Sequence, residues 1–208
     1  MKLPACLLSF GAATALAAAA ELQMLDAARY HLRSGTNAEW EEFAASRPHG
    51  ARLDISFPAR RNATGHTLFV WQDDVKQDWR VELNGRRLGS LFLMEEPLTF
   101  ALSIPAGALR DGSNNISIIP SLENDDIRLG ELRLAALPIA AALHECSAEV
   151  HVTDADSGEP LPCRITVSDR RGSLAALSVP TNQHAAVRPG VVYTADGHAN
   201  IQLLAGAS

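Results

Sequence analysis

The stretch DWRVELNGRRLGSL, from Asp78 to Leu91, constrains the fold more than any other part of the chain. Asn84-Gly85 suits the two central positions of a type I′ turn, both of which need positive φ. A turn there sets Leu83 opposite Arg86, Glu82 opposite Arg87, Val81 opposite Leu88 and Trp79 opposite Ser90. Trp79, Val81, Leu83 and Leu88 then share an apolar face, while Glu82 and Arg87 meet as opposite charges on the other. The spacing predicts an antiparallel hairpin with one buried face.

The same period of two runs through the middle of the chain. Strands are expected over 52–57, 67–72, 78–83, 87–93, 98–104, 115–119 and 127–137, separated by breakers rich in Pro, Gly and Asp. Many short strands with turn chemistry between them predict a mostly β architecture, a jelly-roll sandwich over residues 40–137. Residues 21–39 read as an N-terminal helical segment. In it, 21–33 form a short helix, and Thr36-x-x-Glu39 is a capping box for a turn that places Trp40, Phe43 and Ala44 on one face, with Trp40 anchoring it to the sheet. Residues 138–145 read as a linker. Residues 146–208 read as an incomplete immunoglobulin- or prealbumin-like β-sandwich, with too few strands to close. Its expected parts are a hairpin of 146–153 with 161–168, a longer loop, and a second hairpin around Asp196-Gly197.

With 208 residues, 47% of them hydrophobic, the chain suits one or two globular domains. Residues 1–20 carry one lysine, an apolar run and a string of alanines, the pattern of a secretory signal peptide. That run is too short and too alanine-rich for a membrane span, so a secreted or periplasmic product is expected. Removing residues 1–20 takes away Lys2 and moves the net charge from −6 to −7. An acidic product argues against nucleic acid or anionic lipid as partner. Cys146 and Cys163 would then lie in a compartment that permits disulfides. The expected hairpin, however, sets Cys146 opposite Asp169 and Val152 opposite Cys163, about six rows or roughly 20 Å apart. A disulfide needs Cα atoms within about 7 Å, so two unbridged, buried thiols are expected.

Three phrases carry a resemblance over about one hundred residues: W-x-V-x-L-N-G-x-x-L-G from Trp79, I-P-x-G-x-L-R-D-G-x-N from Ile104, and D-I-R-L-G-E-L-R-L from Asp126. Together they resemble the galactose-binding-like jelly rolls attached to secreted hydrolases. V-T-D-A-D-S-G-E-P-L-P-C-R-I-T-V from Val152 and Y-T-A-D-G-H-A-N-I-Q-L-L-A-G from Tyr193 resemble a carboxypeptidase-regulatory-like domain. The order of the two units is similar to the N-terminal accessory region of exported CehA/McbA-type metallohydrolases, where such modules precede a PHP-like catalytic metal domain. The catalytic histidine motifs of that domain match nothing here, so no catalytic residue carries over. The resemblance implies a non-catalytic exported accessory or binding module, the N-terminal fragment of a larger metallohydrolase, with a C-terminal catalytic domain as its partner. The alternative is a stand-alone carbohydrate-binding, lectin-like β-sandwich.

Candidate chemistry is sparse. Asp73-Asp74 and Asp125-Asp126 sit in expected turns near strand ends, where carboxylates and backbone carbonyls could hold a structural calcium ion. The seven histidines, at 31, 49, 66, 144, 151, 184 and 198, form no H-x-H or H-x-x-x-H pair and read as surface residues. The strand 67–72 is apolar on both faces, which marks Trp71 as core rather than a sugar platform, and Trp79 is core by its hairpin face. Eleven aromatic residues leave little material for stacking sugars. No G-x-S-x-G occurs, and no Ser-His-Asp set can be assembled. Asn62-Ala-Thr64 and Asn115-Ile-Ser117 match the glycosylation pattern.

Overall fold

The structure, a computed structural model, describes residues 6–11, 22–180 and 185–204. The chain divides into two compact units, Ala20–Ile139 and Ala140–Ser208, the latter joined by Met1–Ala19. Strand β1 (Cys6–Gly11) belongs to the second of these.

The first unit holds β2 (Leu22–Arg33), β3 (Leu53–Ala59), β4 (His66–Asp73), β5 (Trp79–Leu83), β6 (Arg86–Ser90), β7 (Leu98–Ile104), β8 (Gly112–Pro120) and β9 (Asp126–Ala135). They form two antiparallel sheets, ordered β2-β9-β4-β7 and β3-β8-β5-β6. Counted from one, these orders are 1-8-3-6 and 2-7-4-5, the eight-stranded jelly roll. Neither sheet can bury its apolar face alone. The shared core takes Leu68, Val70, Ile127 and Leu129 from one sheet and Trp79, Val81, Ile116 and Ile118 from the other. β4 lies between β9 and β7, and both its faces are buried, as its double apolar pattern predicts. Trp71 is only 4% exposed, with the Arg29 guanidinium stacked 3.6 Å from its ring.

The Asn84-Gly85 turn forms with φ of 53° and 78°. Leu83 faces Arg86 and Glu82 faces Arg87 as the sequence predicts. Beyond that pair a bulge slips the register, so Val81 faces Gly89 and Arg80 faces Ser90. The expected Val81–Leu88 and Trp79–Ser90 pairs do not form, yet Leu88 still packs against the core. A bulge adds one residue to one strand, and the side-chain pattern alone does not mark where.

Of the segment expected as a helix over 21–33, Leu22–Arg33 form the twelve-residue strand β2 on the free edge of β9. Register shifts between Met24 and Asp26 and between Asp26 and Arg29 break its alternation, which hid the period of two. The irregular stretch crosses β9 at Gly130, where an added Cβ would overlap the Ala28 carbonyl oxygen. The expected capping box is absent as well. Helix α1 (Glu41–Ala44) begins after Trp40, which provides no side-chain cap. Phe43, 4% exposed, anchors this turn, while Trp40 is 55% exposed.

A second short helix, α2 (Ile139–Ala142), falls in the expected linker. The second unit then contains β10 (Cys146–Asp154), β11 (Cys163–Thr166), β12 (Leu177–Ser178), β13 (Ala185–Arg188), β14 (Val191–Thr194) and β15 (His198–Leu203). Its sheets are ordered β1-β10-β15-β12 and β11-β14-β13, around Val150, Leu177, Val192, Ala199 and Ile201. The expected hairpin of β10 with β11 is not formed. A single bridge joins Thr153 to Pro160, and β11 then pairs with β14 in the other sheet. Asp196-Gly197 likewise turns a corner between sheets, whereas Pro189-Gly190 closes the actual hairpin of β13 with β14. Turn residues mark where a chain reverses; they do not mark which sheet receives it. Neither Cys146 nor Cys163 is in a disulfide. Cys146 is exposed and Cys163 half-buried, so the expectation of buried thiols is corrected. The leader expected over 1–20 lies outside the described residues except for β1, whose backbone pairs with β10 from Cys6↔Asp154 to Gly11↔Glu149.

Asn84 does more than permit a turn. Its Nδ2 donates to the Ala108 carbonyl (3.2 Å) and to Asn114 Oδ1 (2.8 Å), and its Oδ1 accepts from the Asn115 amide (3.1 Å). Replacing Asn84 by glycine keeps the backbone freedom and removes all three bonds. Asn84→Gly is expected to destabilise the jelly roll by about 2 kcal/mol. All three tryptophans, Trp40, Trp71 and Trp79, lie in this unit, so urea unfolding followed by tryptophan fluorescence reads it selectively. An unchanged midpoint would reduce Asn84 to a turn former.

Candidate functional site

The four candidate aspartates lie at the ends of β4 and β9, where the structure matches them with the chain's own donors. Asp126 is fully buried. It accepts from His31 Nε2 (2.6 Å), Arg33 Nε (2.7 Å) and the Glu39 amide (2.7 Å). Burial pushes its carboxyl up, but these three donors together hold it below the usual aspartate range. Asp74 binds the Lys76 ammonium at 2.6 Å, and Glu39 binds the same ammonium at 3.0 Å. Asp73 pairs with Arg128 at 2.9 Å, though burial still raises its carboxyl. Phe43 lies beneath this group, its ring against His31 (5.1 Å between centroids), Arg128 (5.6 Å) and Lys76 (5.9 Å).

Asp125 is the exception. Its Oδ2 accepts from Trp79 Nε1 (2.7 Å) and from the Gln77 amide (3.2 Å). Its Oδ1 is buried with no hydrogen-bond partner. Burial pushes this carboxyl up to about 6, against the pull of the indole and amide N–H groups. A calcium ion would need several oxygens converging at about 2.3–2.6 Å. Here Arg33, His31, Lys76 and Arg128 each take a carboxylate, and the four aspartates form no group whose ligand atoms share one centre.

Two outcomes follow for this network. Asp126→Ala would strand His31 and Arg33 at a buried position and cost about 3–5 kcal/mol in urea unfolding. For Asp125 the folded-state pKa lies above the unfolded one, so the folded protein binds the extra proton. Its charge therefore opposes folding above pH 6, and the penalty fades as pH falls toward 4. Relative to the wild type, Asp125→Asn should gain about 3 kcal/mol of stability between pH 4 and pH 7.5. A difference between the two proteins that does not vary with pH would show that Asp125 does not titrate in this range.

In the second unit the structure assembles a group that spacing did not reveal. On β10, Glu149 and His151 point to solvent while Val150 is buried. On β15, His198 lies outward while Ala199 is buried, and His198 stands directly opposite His151. Glu149 Oε1 is 3.1 Å from His151 Nε2 and 3.3 Å from His198 Nε2. The two imidazole rings lie 4.6 Å apart at 34°. The two histidines hold the Glu149 carboxyl below the ordinary range. Among the described residues, this is the group of three or more His, Cys, Asp and Glu ligand atoms lying within 4.8 Å of one another. The sequence signal was Glu149-x-His151, which puts both side chains on one face of a strand; the third member appears only when β15 pairs.

Other sequence candidates are absorbed by structure. Asn62, 3% exposed, donates to the carbonyls of Thr64 and Pro105 and accepts from the Leu109 amide, so the first glycosylation match is sealed in the fold. Asn115 is half-buried and donates to Ser117 Oγ. A cleft of about 360 Å³ opens at one end of the jelly roll, lined in part by Gln23, Arg60, Arg61 and His66. His66 Nδ1 is buried with no hydrogen-bond partner. No helix among the described residues is long and apolar enough to cross a membrane.

No protein-family model matches the chain, and no curated protein does. Among solved structures, the chain is similar to the CBM36-1 domain of a multidomain xylanase from the hindgut metagenome of Trinervitermes trinervoides. The match has a TM-score of 0.29 at 11% identity and covers 52% of this chain and 96% of that one. It is also similar to a β-glucuronidase from Ruminococcus gnavus, with a TM-score of 0.33 at 13% identity, covering 92% of this chain and 40% of that one. A third match is a GH2 β-galacturonidase from Eisenbergiella tayi, with a TM-score of 0.29 at 15% identity, covering 87% and 36%. This chain thus spans well under half of either glycosidase chain. Likeness this loose transfers neither fold detail nor ligand, and the jelly roll rests on the strand order given above.

Proposed function

We propose that this chain is a binding module of the accessory kind, exported, and working beside a catalytic domain rather than as one. The observation that carries the reading is the fate of the carboxylates. A glycosidase of the usual kind needs two carboxyl groups aimed into one cleft. In the jelly roll, Asp73, Asp74 and Asp126 instead face Arg128, Lys76, and His31 with Arg33, and Asp125 faces a buried indole. The chain's division into two compact β units also suits a string of modules.

Carbohydrate is the ligand class that the jelly roll's cleft favours. Gln23, Arg60, Arg61 and His66 present several hydrogen-bonding groups beside the apolar Leu109 and Leu134, a polar and apolar mixture suited to a hydroxyl-rich ligand held by hydrogen bonds rather than by aromatic stacking. The purified chain should be retarded in native gels containing an acidic polysaccharide, and Arg60→Ala/Arg61→Ala should remove at least tenfold of that affinity. It should turn over none of a panel of chromogenic glycosides, esters and phosphodiesters. Steady turnover of any of these would replace the module reading with an enzyme. Equal migration with and without polysaccharide would discard carbohydrate as the ligand.

A further inference from the structure

We propose that Glu149, His151 and His198 form a surface site for a divalent transition-metal ion of the zinc class, bound by two imidazoles and one carboxylate with at least one coordination position open. The donor types are the first argument. Two imidazole nitrogens and a carboxylate oxygen suit zinc, nickel or copper, whereas calcium and magnesium prefer sets made wholly of oxygen.

The distances are the second argument. Zinc binds histidine nitrogen and carboxylate oxygen at about 2.0–2.2 Å, which places any two ligand atoms of a tetrahedral site about 3.3–3.5 Å apart. Glu149 Oε1 already lies 3.1 Å and 3.3 Å from the two Nε2 atoms. All three ligand atoms lie within 4.8 Å of one another, within reach of side-chain adjustment around an ion.

The backbone that presents these side chains is tightly fixed, which is the third argument. His151 and His198 are opposed across the β10–β15 ladder, and Glu149 lies two residues before His151 on the same face. Ahead of His198, the Asp196 carboxylate accepts from the His198 amide at 3.0 Å and from Thr194 Oγ1 at 2.7 Å. Gly197, at φ 70°, lies so close to β10 that an added Cβ would overlap the Val152 carbonyl oxygen. The Val152 amide donates to the Gly197 carbonyl at 2.8 Å. The corner therefore sets His198 against β10 before any ion binds. Three protein ligands with an open position is the arrangement that leaves room for water or an exogenous ligand on the metal.

The test uses the full chain, stripped with a chelator and titrated with Zn²⁺ by calorimetry, and separately with Co²⁺ by absorption. One equivalent of Zn²⁺ per chain is expected. His198→Asn and His151→Gln should each weaken binding at least tenfold, and Cys146→Ser/Cys163→Ser should leave it unchanged. All three ligands are at least partly exposed, and circular dichroism of each variant verifies the fold. The Co²⁺ spectrum should show ligand-field bands without a thiolate charge-transfer band. Absence of Zn²⁺ binding by the wild type, full binding by His198→Asn, or a thiolate band would each overturn the site.

Discussion

The jelly roll depends on how one buried indole is satisfied. Trp79 lies wholly between the two sheets, and its N–H, cut off from water, needs an acceptor there. Asp125 supplies it at 2.7 Å. The same residue joins the chain after β2, because its carbonyl accepts from the Ser34 amide (2.9 Å) and its amide donates to Ser34 Oγ (3.0 Å). One residue thus ties β5 of one sheet, through its carboxylate, to the ends of β2 and β9 of the other, through its backbone. The cost is a buried oxygen with no partner and a carboxyl that burial pushes up to about 6.

Asp126, next in sequence, follows the opposite logic. Its charge is retained because His31, Arg33 and the Glu39 amide surround it, and removing it would leave those donors buried without an acceptor. Two adjacent aspartates therefore play two structural roles at the same strand end. With Lys76 between Asp74 and Glu39, and Phe43 packed beneath, this end of the sandwich is closed by its own charges. The solvent-facing chemistry lies elsewhere: in the arginine-lined cleft of the jelly roll and, within the second unit, on the outer face of β10 and β15.

That outer face shows what pairing can create. Glu149 and His151 are separated from His198 by more than forty residues of chain, and the ladder brings them within ion-pair distance. Inward residues Val150, Ala199 and Ile201 fix which side faces the core, and the outward set follows from the two-residue period. Burial on one side therefore determines the chemistry on the other.

Much of the first unit could be read from residue order alone. The Asn84-Gly85 turn, the double-faced burial of β4, the core positions of Trp71 and Trp79 and the jelly-roll class all follow from short-range periodicity and from backbone demands at single residues. β2 could not be read, because its irregular register erased the alternation. Nor could the pairing of β10 with β15, because Asp154–Glu159 and Asp196-Gly197 signal reversals without naming the sheet that receives the strand. The aspartate pairs were visible as strand-end carboxylates, but not their partners, since His31 and Arg33 lie more than ninety residues from Asp126. Sequence by itself determined the strands, the turns and the inward faces, because those depend on neighbours one to four residues apart. Only tertiary structure decided which strands meet, which charges cancel and which histidines converge, because those depend on contacts that no local spacing encodes.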